Sequence, residues 1–195
     1  MSLAFTRTNF ITGTYAGDVL LLLEVAENNP LRITKNPSAE VNVQTDSVGR
    51  AVIGYGYDLQ ANEDTAIADL TAAGAIISNP AALQAAIDAL PPQGKTPTAA
   101  EVAAVGALVS LPNAASAALL LNNTIASREA SFNTFLTSFG LPVEPNTEER
   151  AALLDLWYQT PAYFENAVKN AQGVVTGFTP TRLTQALQSG NRAAA

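Results

Sequence analysis

Cysteine and histidine are both missing from these 195 residues. Without cysteine there is no disulfide and no thiolate metal site, and the redox compartment leaves no trace. Without histidine there is no Ser-His-Asp or Cys-His triad and no imidazole ligand. Any chemistry must therefore run on carboxylates, hydroxyls, lysine or arginine, with no metal or other cofactor expected. Charge is scarce as well: 14% of residues are charged and the net charge is −7. That sign repels a phosphate backbone, so no nucleic-acid partner is expected. No window reaches the roughly 18 uncharged apolar residues of a membrane span, so no membrane insertion is expected. The start, Met1-Ser2-Leu3-Ala4-Phe5-Thr6-Arg7, lacks a charged leader followed by a long apolar stretch and does not read as a signal peptide.

What is present is apolar, at 48% of residues. A chain of this size and composition buries a core as one domain or two small lobes. Asp18 can cap a helix from Val19 to about Glu27, with Val19, Leu20, Leu22, Leu23 and Ala26 forming a wide apolar face. Asn28-Asn29-Pro30 stops it. From Leu31 to Leu59 the texture alternates: Leu31–Thr34, Val41–Thr45 and Arg50–Tyr55 predict a small antiparallel sheet of two or three strands. Turns are expected at Asn36-Pro37 and from Asp46 to Gly49. After Asn62 the period turns helical. Helices are expected over 64–74, 80–90, 99–109, 114–139 (one or two), 146–158, 164–172 and 181–188. Pro91 to Pro97 reads as a surface loop. The expected architecture is α+β and mainly α. It is a single domain, with an N-terminal helix and small sheet over 1–61 and a helical lobe over 62–195. A cleft between the two is the expected ligand site.

The richest segment is Asp46-Ser47-Val48-Gly49-Arg50-Ala51-Val52-Ile53-Gly54-Tyr55-Gly56-Tyr57. An acid, a glycine turn and a β-branched pair running into Gly-aromatic-Gly describe a short active-site hairpin. Glu27 sits upstream, at helical spacing from Leu20 and Leu23. A carboxyl beside apolar surface holds its proton and suits a general acid. Two carboxylates delivered by a helix end and a hairpin are what glycosidic bond cleavage needs. Glu24 is the rival to Glu27, and Glu40 a weaker alternative to Asp46. Each acid also has a plain reading, Glu27 as a solvated helix end and Asp46 as a turn former. Tyr55 and Tyr57 could stack on a sugar face or serve the core equally well.

These residues resemble the phage-type lysozymes, the muramidases of tailed bacteriophages. The family pattern is a Glu at the end of the first helix, an Asp-x-x-Gly turn, and a strand Thr-Ile-Gly-x-Gly-His. Glu27 and the run from Asp46 to Tyr57 fit that order. The interval between the acids is longer here, Val52 stands where the family has Thr, and Tyr57 where it has His. Further on, Ala117–Ile125, Glu149–Gln159 and Thr181–Gly190 are similar to successive helical parts of the family. Together the likeness covers most of residues 18–192.

The resemblance implies a lysozyme-like fold and cleavage of the β-1,4 bond between N-acetylmuramic acid and N-acetylglucosamine in peptidoglycan. Glu27 would protonate the leaving oxygen. Asp46 would act as base or electrostatic partner, and Val52, Tyr55 and Tyr57 would line the substrate site. The partner is a peptidoglycan glycan strand at the bacterial cell wall, reached by a holin, a phage particle, a secretion system or a parent protein. The stop soon after Gly190 implies a longer polypeptide. The alternative is a lysozyme-like module that binds glycan or builds a particle without hydrolysis, which Val52 and the acidic surface favour.

Overall fold

The computed structural model describes residues 13–27, 41–46, 49–92, 94–159 and 161–190. The expected strand over 31–34, the turn at Asn36-Pro37 and Glu40 lie outside the described residues, as do Ser47 and Val48. Among the described residues, seven α-helices and three small antiparallel sheets make the fold α+β and mainly α. The chain divides into two compact units. One holds the described residues of 20–124, the other those of 1–19 and 125–195. The division falls inside the first helix, α1 (Tyr15–Glu27), and inside the long helix over 114–138.

In the unit over 20–124, β1 (Gln44–Thr45), β2 (Ala51–Ile53) and β3 (Tyr57–Asp58) form an antiparallel sheet in sequence order. Gln44 pairs with Val52 and Thr45 with Ala51, while Val52 pairs with Asp58 and Ile53 with Tyr57. All three residues of β2 are buried, which explains an Ala-Val-Ile run instead of an alternating one. The loop from β2 to β3 is Gly54-Tyr55-Gly56. Gly54 has φ +61, and a Cβ there would lie 3.3 Å from the Leu111 side chain. The strand end can therefore press onto its neighbour only with glycine at that position.

Three helices cover this sheet: α2 (Ala66–Ala72), α3 (Pro80–Asp88) and α4 (Ala99–Gly106). Their starts follow local chemistry. Asn79 Oδ1 accepts from Ala82 N at 3.1 Å, with Pro80 opening the helix. Thr98 and Glu101 form a reciprocal capping box. Ile53, Leu59, Leu70, Leu83, Ile87 and Val105 are wholly buried in one cluster. Each such side chain contributes about 1.5–3 kcal/mol relative to exposure. A two-stranded sheet of β4 (Ile76–Ile77) and β5 (Val109–Ser110) lies beside them, and an Asn42–Ser110 bridge continues it toward β1.

In the unit over 1–19 and 125–195, an aromatic cluster forms the centre. Trp157 lies 4.8 Å from Phe135 and 5.6 Å from Phe132 between ring centroids, and Phe164 meets all three rings. These side chains come from α5 (Ala114–Ser138), α6 (Glu148–Gln159) and the residue after a 3-10 turn at Pro161–Tyr163. Arg150 is buried over the Phe132 ring. It donates to Glu129 Oε1 at 3.2 Å and to Asn133 Oδ1. Tyr15 donates to the same Glu129 oxygen at 3.1 Å.

Three expectations are corrected. Residues 164–172 are not a helix. β6 (Glu165–Lys169) and β7 (Val175–Pro180) form a hairpin, followed by α7 (Arg182–Ser189) capped by Thr181. The signal was present in the β-branched run Val174-Val175-Thr176 after Gly173. Asn170 closes the turn, accepting from Gly173 N at 2.9 Å through its carbonyl and from Val174 N at 2.9 Å through its side chain. The helix expected over 99–109 ends at Gly106, because Val109 is taken up by β5. The chain after 62 is therefore not all helical. The sheet shares its core with α2, α3 and α4 within the unit over 20–124.

Candidate functional site

Asp46 follows β1 directly and opens the turn that the sequence predicts. Gly49 N donates to Asp46 O at 3.1 Å and Asp46 N to Arg50 O at 3.0 Å, so the loop is closed at both levels. Gly49 has φ +87, and a Cβ there would collide with Thr96 of the 91–97 loop. Glycine is required by conformation and by space at once.

The Asp46 carboxylate is bound by Arg50. Oδ1 accepts from Arg50 N at 2.8 Å, and Oδ2 accepts from Arg50 Nε at 2.6 Å and pairs with Nη2 at 2.6 Å. These are short charge-assisted bonds. Arg50 also faces a second carboxylate: its Nη1 lies 3.8 Å from Asp58 Oδ2. The Asp46 and Asp58 side chains are only 10% and 8% exposed, against 37% for Arg50, so the cation partly screens two acids from water. Asp58 Oδ1 accepts from Gln60 N at 2.9 Å and Ala61 N at 3.0 Å, a local turn that sets its rotamer. Asp58 Oδ2 is buried with no hydrogen-bond partner among the described residues.

The other expected site residues fall as follows. Val52 is 2% exposed in the middle of the sheet. Tyr57 is 3% exposed and belongs to the core cluster, with its hydroxyl donating to Asp69 Oδ2 at 2.6 Å. Tyr55 is half-buried in the turn and packs against the same cluster. The sheet thus gathers Asp46, Val52, Tyr55 and Tyr57 within one small hairpin pair. The backbone of α1 ends at Glu27, but the side chains of Glu24 and Glu27 lie outside the described residues.

Sequence reasoning passed over Arg50, Asp58 and Gln60. Gln60 is buried. Its Oε1 accepts from Ala51 N at 3.2 Å, and its Nε2 donates to Pro91 O at 2.7 Å and Lys95 O at 3.1 Å. It ties β2 to the loop that braces the Asp46 turn. A usable signal existed for Arg50: between Lys35 and Lys95 it is the only Lys or Arg, set among seven acids. An open cavity of about 690 Å³ lies farther along the same unit, lined by Gln60, Asn62, Glu63, Asp64, Asp88 and Pro92 among others. Asp46, Val52, Tyr55 and Tyr57 do not line it. Among the described residues no group of three or more acids is placed to hold a metal ion, and no helix is long and apolar enough to cross a membrane.

Compared with protein-family models, curated proteins and solved structures, the chain matches none.

Proposed function

We propose that this chain is a muramidase domain that cleaves the β-1,4 bond between N-acetylmuramic acid and N-acetylglucosamine in peptidoglycan. The observation that supports it best is the Asp46 carboxylate. It stands at the mouth of a three-stranded sheet, on a glycine turn, gripped by three donors of one residue. In this reading Glu27, at the end of α1, protonates the leaving oxygen. Asp46 orients the attacking water or stabilises positive charge on the sugar. No cofactor enters the reaction.

The experiment is release of reducing ends from purified peptidoglycan, with turbidity of a wall suspension beside it. Glu27→Gln keeps the volume but supplies no proton. It should lower reducing-end release by about 10²–10⁴-fold with an unchanged circular dichroism spectrum. A folded variant with parental activity removes Glu27 from the mechanism and turns attention to Glu24.

Val52 favours a second reading, a lysozyme-like module that holds glycan without cutting it. Its side chain is buried and has no hydroxyl with which to orient water. Retention of soluble glycan fragments without any new reducing ends would select this reading over the first.

A further inference from the structure

Arg50 faces two carboxylates that differ in what holds them. Asp46 sits on a short loop whose sheet partner, β1, has only two residues. Arg50 holds it from three donors: backbone N–H to Oδ1, and Nε–H and Nη2 to Oδ2. Asp58, by contrast, is set by its own turn through Gln60 N and Ala61 N. Its other oxygen is buried, without a hydrogen bond among the described residues, toward Arg50 Nη1 at 3.8 Å. A buried carboxylate oxygen needs compensation. At that distance it receives charge but no hydrogen bond. The guanidinium is therefore oriented by hydrogen bonds to Asp46 and drawn by charge alone toward Asp58.

We propose that Arg50 is the positioning residue of the Asp46 carboxylate, with Asp58 as the fixed counter-charge that keeps the guanidinium in place. The proposal rests on the muramidase reading, since it gives Arg50 a part in turnover. Arg50 touches neither sugar nor water in this role. It fixes the rotamer of the group that does. A misplacement of about 1 Å in such a group costs on the order of 10²-fold in rate.

Two measurements on the full chain separate the proposal from the reading beneath it. The first needs no activity. An arginine Nε–H held by a carboxylate exchanges slowly with water, so the Arg50 Nε–H signal should be visible in a nitrogen-proton spectrum of the parent near neutral pH and vanish in Asp46→Asn. A parent without this signal overturns the clamp. The second is kinetic, on purified peptidoglycan. Arg50→Gln should lower kcat by about 10–100-fold with KM within about twofold. Arg50→Lys, which keeps the charge but loses the fork, should recover part of that loss. Circular dichroism melts check that both variants fold, and Arg50→Lys keeps the test alive if Arg50→Gln does not. A lytic parent with the Nε–H signal but unchanged kcat in Arg50→Gln overturns the positioning role and leaves the muramidase reading standing. A parent that shows the signal but releases no reducing ends removes the muramidase reading, and Arg50's part in turnover falls with it.

Discussion

The Tyr57 hydroxyl donates a 2.6 Å hydrogen bond to Asp69 Oδ2, joining β3 of the sheet to α2. The same oxygen accepts from Thr65 Oγ1 at 2.8 Å, just before that helix begins. One partly buried carboxylate thus ties the helix start to the sheet that carries Asp46.

Tyr57→Phe removes the hydroxyl and leaves the ring in the core. A hydrogen bond to a charged group contributes about 1.5–3 kcal/mol. Thr65 still partners Asp69, so the expected loss is about 1–2 kcal/mol in urea unfolding. A change below about 0.3 kcal/mol would show that the bond is matched by solvent in the unfolded chain.

Gly49→Ala should be costlier than a glycine substitution that meets only backbone strain. Gly94 supplies the comparison: its φ is +89 and a Cβ there meets nothing within 4 Å. Gly94→Ala should lose about 1 kcal/mol, and Gly49→Ala about 1–3 kcal/mol because Thr96 blocks it as well. Gly49→Ala with Thr96→Ala should recover the difference between the two single variants. Thermal melts of all four proteins decide it, and equal losses for Gly49→Ala and Gly94→Ala would remove the steric contribution.

Tyr15 links stability to alkaline pH. Burial first, and the Glu129 charge next, push its phenol well above the ordinary value, while Arg150 acts in the opposite direction. The unfolded phenol ionises near pH 10. The folded form therefore binds its proton more tightly than the unfolded form. This stabilising contribution is complete below about pH 10 and is lost as pH rises through the range between the two values. Urea midpoints measured from pH 8 to 11 should fall more steeply in the parent than in Tyr15→Phe. Parallel curves would mean that the phenol ionises alike in the folded and unfolded chain, so that burial and Glu129 do not raise it.

Val52→Thr tests whether residue 52 has the part in holding water that the muramidase reading gives it. Val52 is 2% exposed, so the added hydroxyl needs a partner, and a loss of about 1–3 kcal/mol is expected in the melt. The strand itself accepts either β-branched residue. Under the muramidase reading, reducing-end release should rise at a temperature where both proteins are folded. A fall, or no change, would place the water against some other group.

Local chemistry made part of this architecture readable from the chain alone. The Asp46–Gly49 turn, the Asn79-Pro80 and Thr98–Glu101 helix starts and the Thr181 cap are closed by hydrogen bonds spanning three or four residues. Such bonds depend on neighbours that the chain always supplies, which is why turn and cap residues announce themselves. The hairpin of β6 and β7 was equally local and legible, but an apolar run of that length fits a helix or a strand until its β-branched residues are weighed.

Tertiary structure decided the rest. Ile76 and Ile77 become a strand because Val109 and Ser110 are brought beside them. Tyr57 turns inward because the sheet it belongs to shares its core with α2, α3 and α4, and Val52 is buried at the centre of that sheet. Arg50 reaches Asp58 across the sheet, and Gln60 reaches Pro91 and Lys95 from 31 and 35 residues away. No spacing rule foretells such pairs, since each depends on the path of the whole chain and on the burial that makes an unpaired polar group expensive. The sequence alone thus determined which acid would stand at the turn. Packing around the sheet decided that the same cation, Arg50, would also face Asp58.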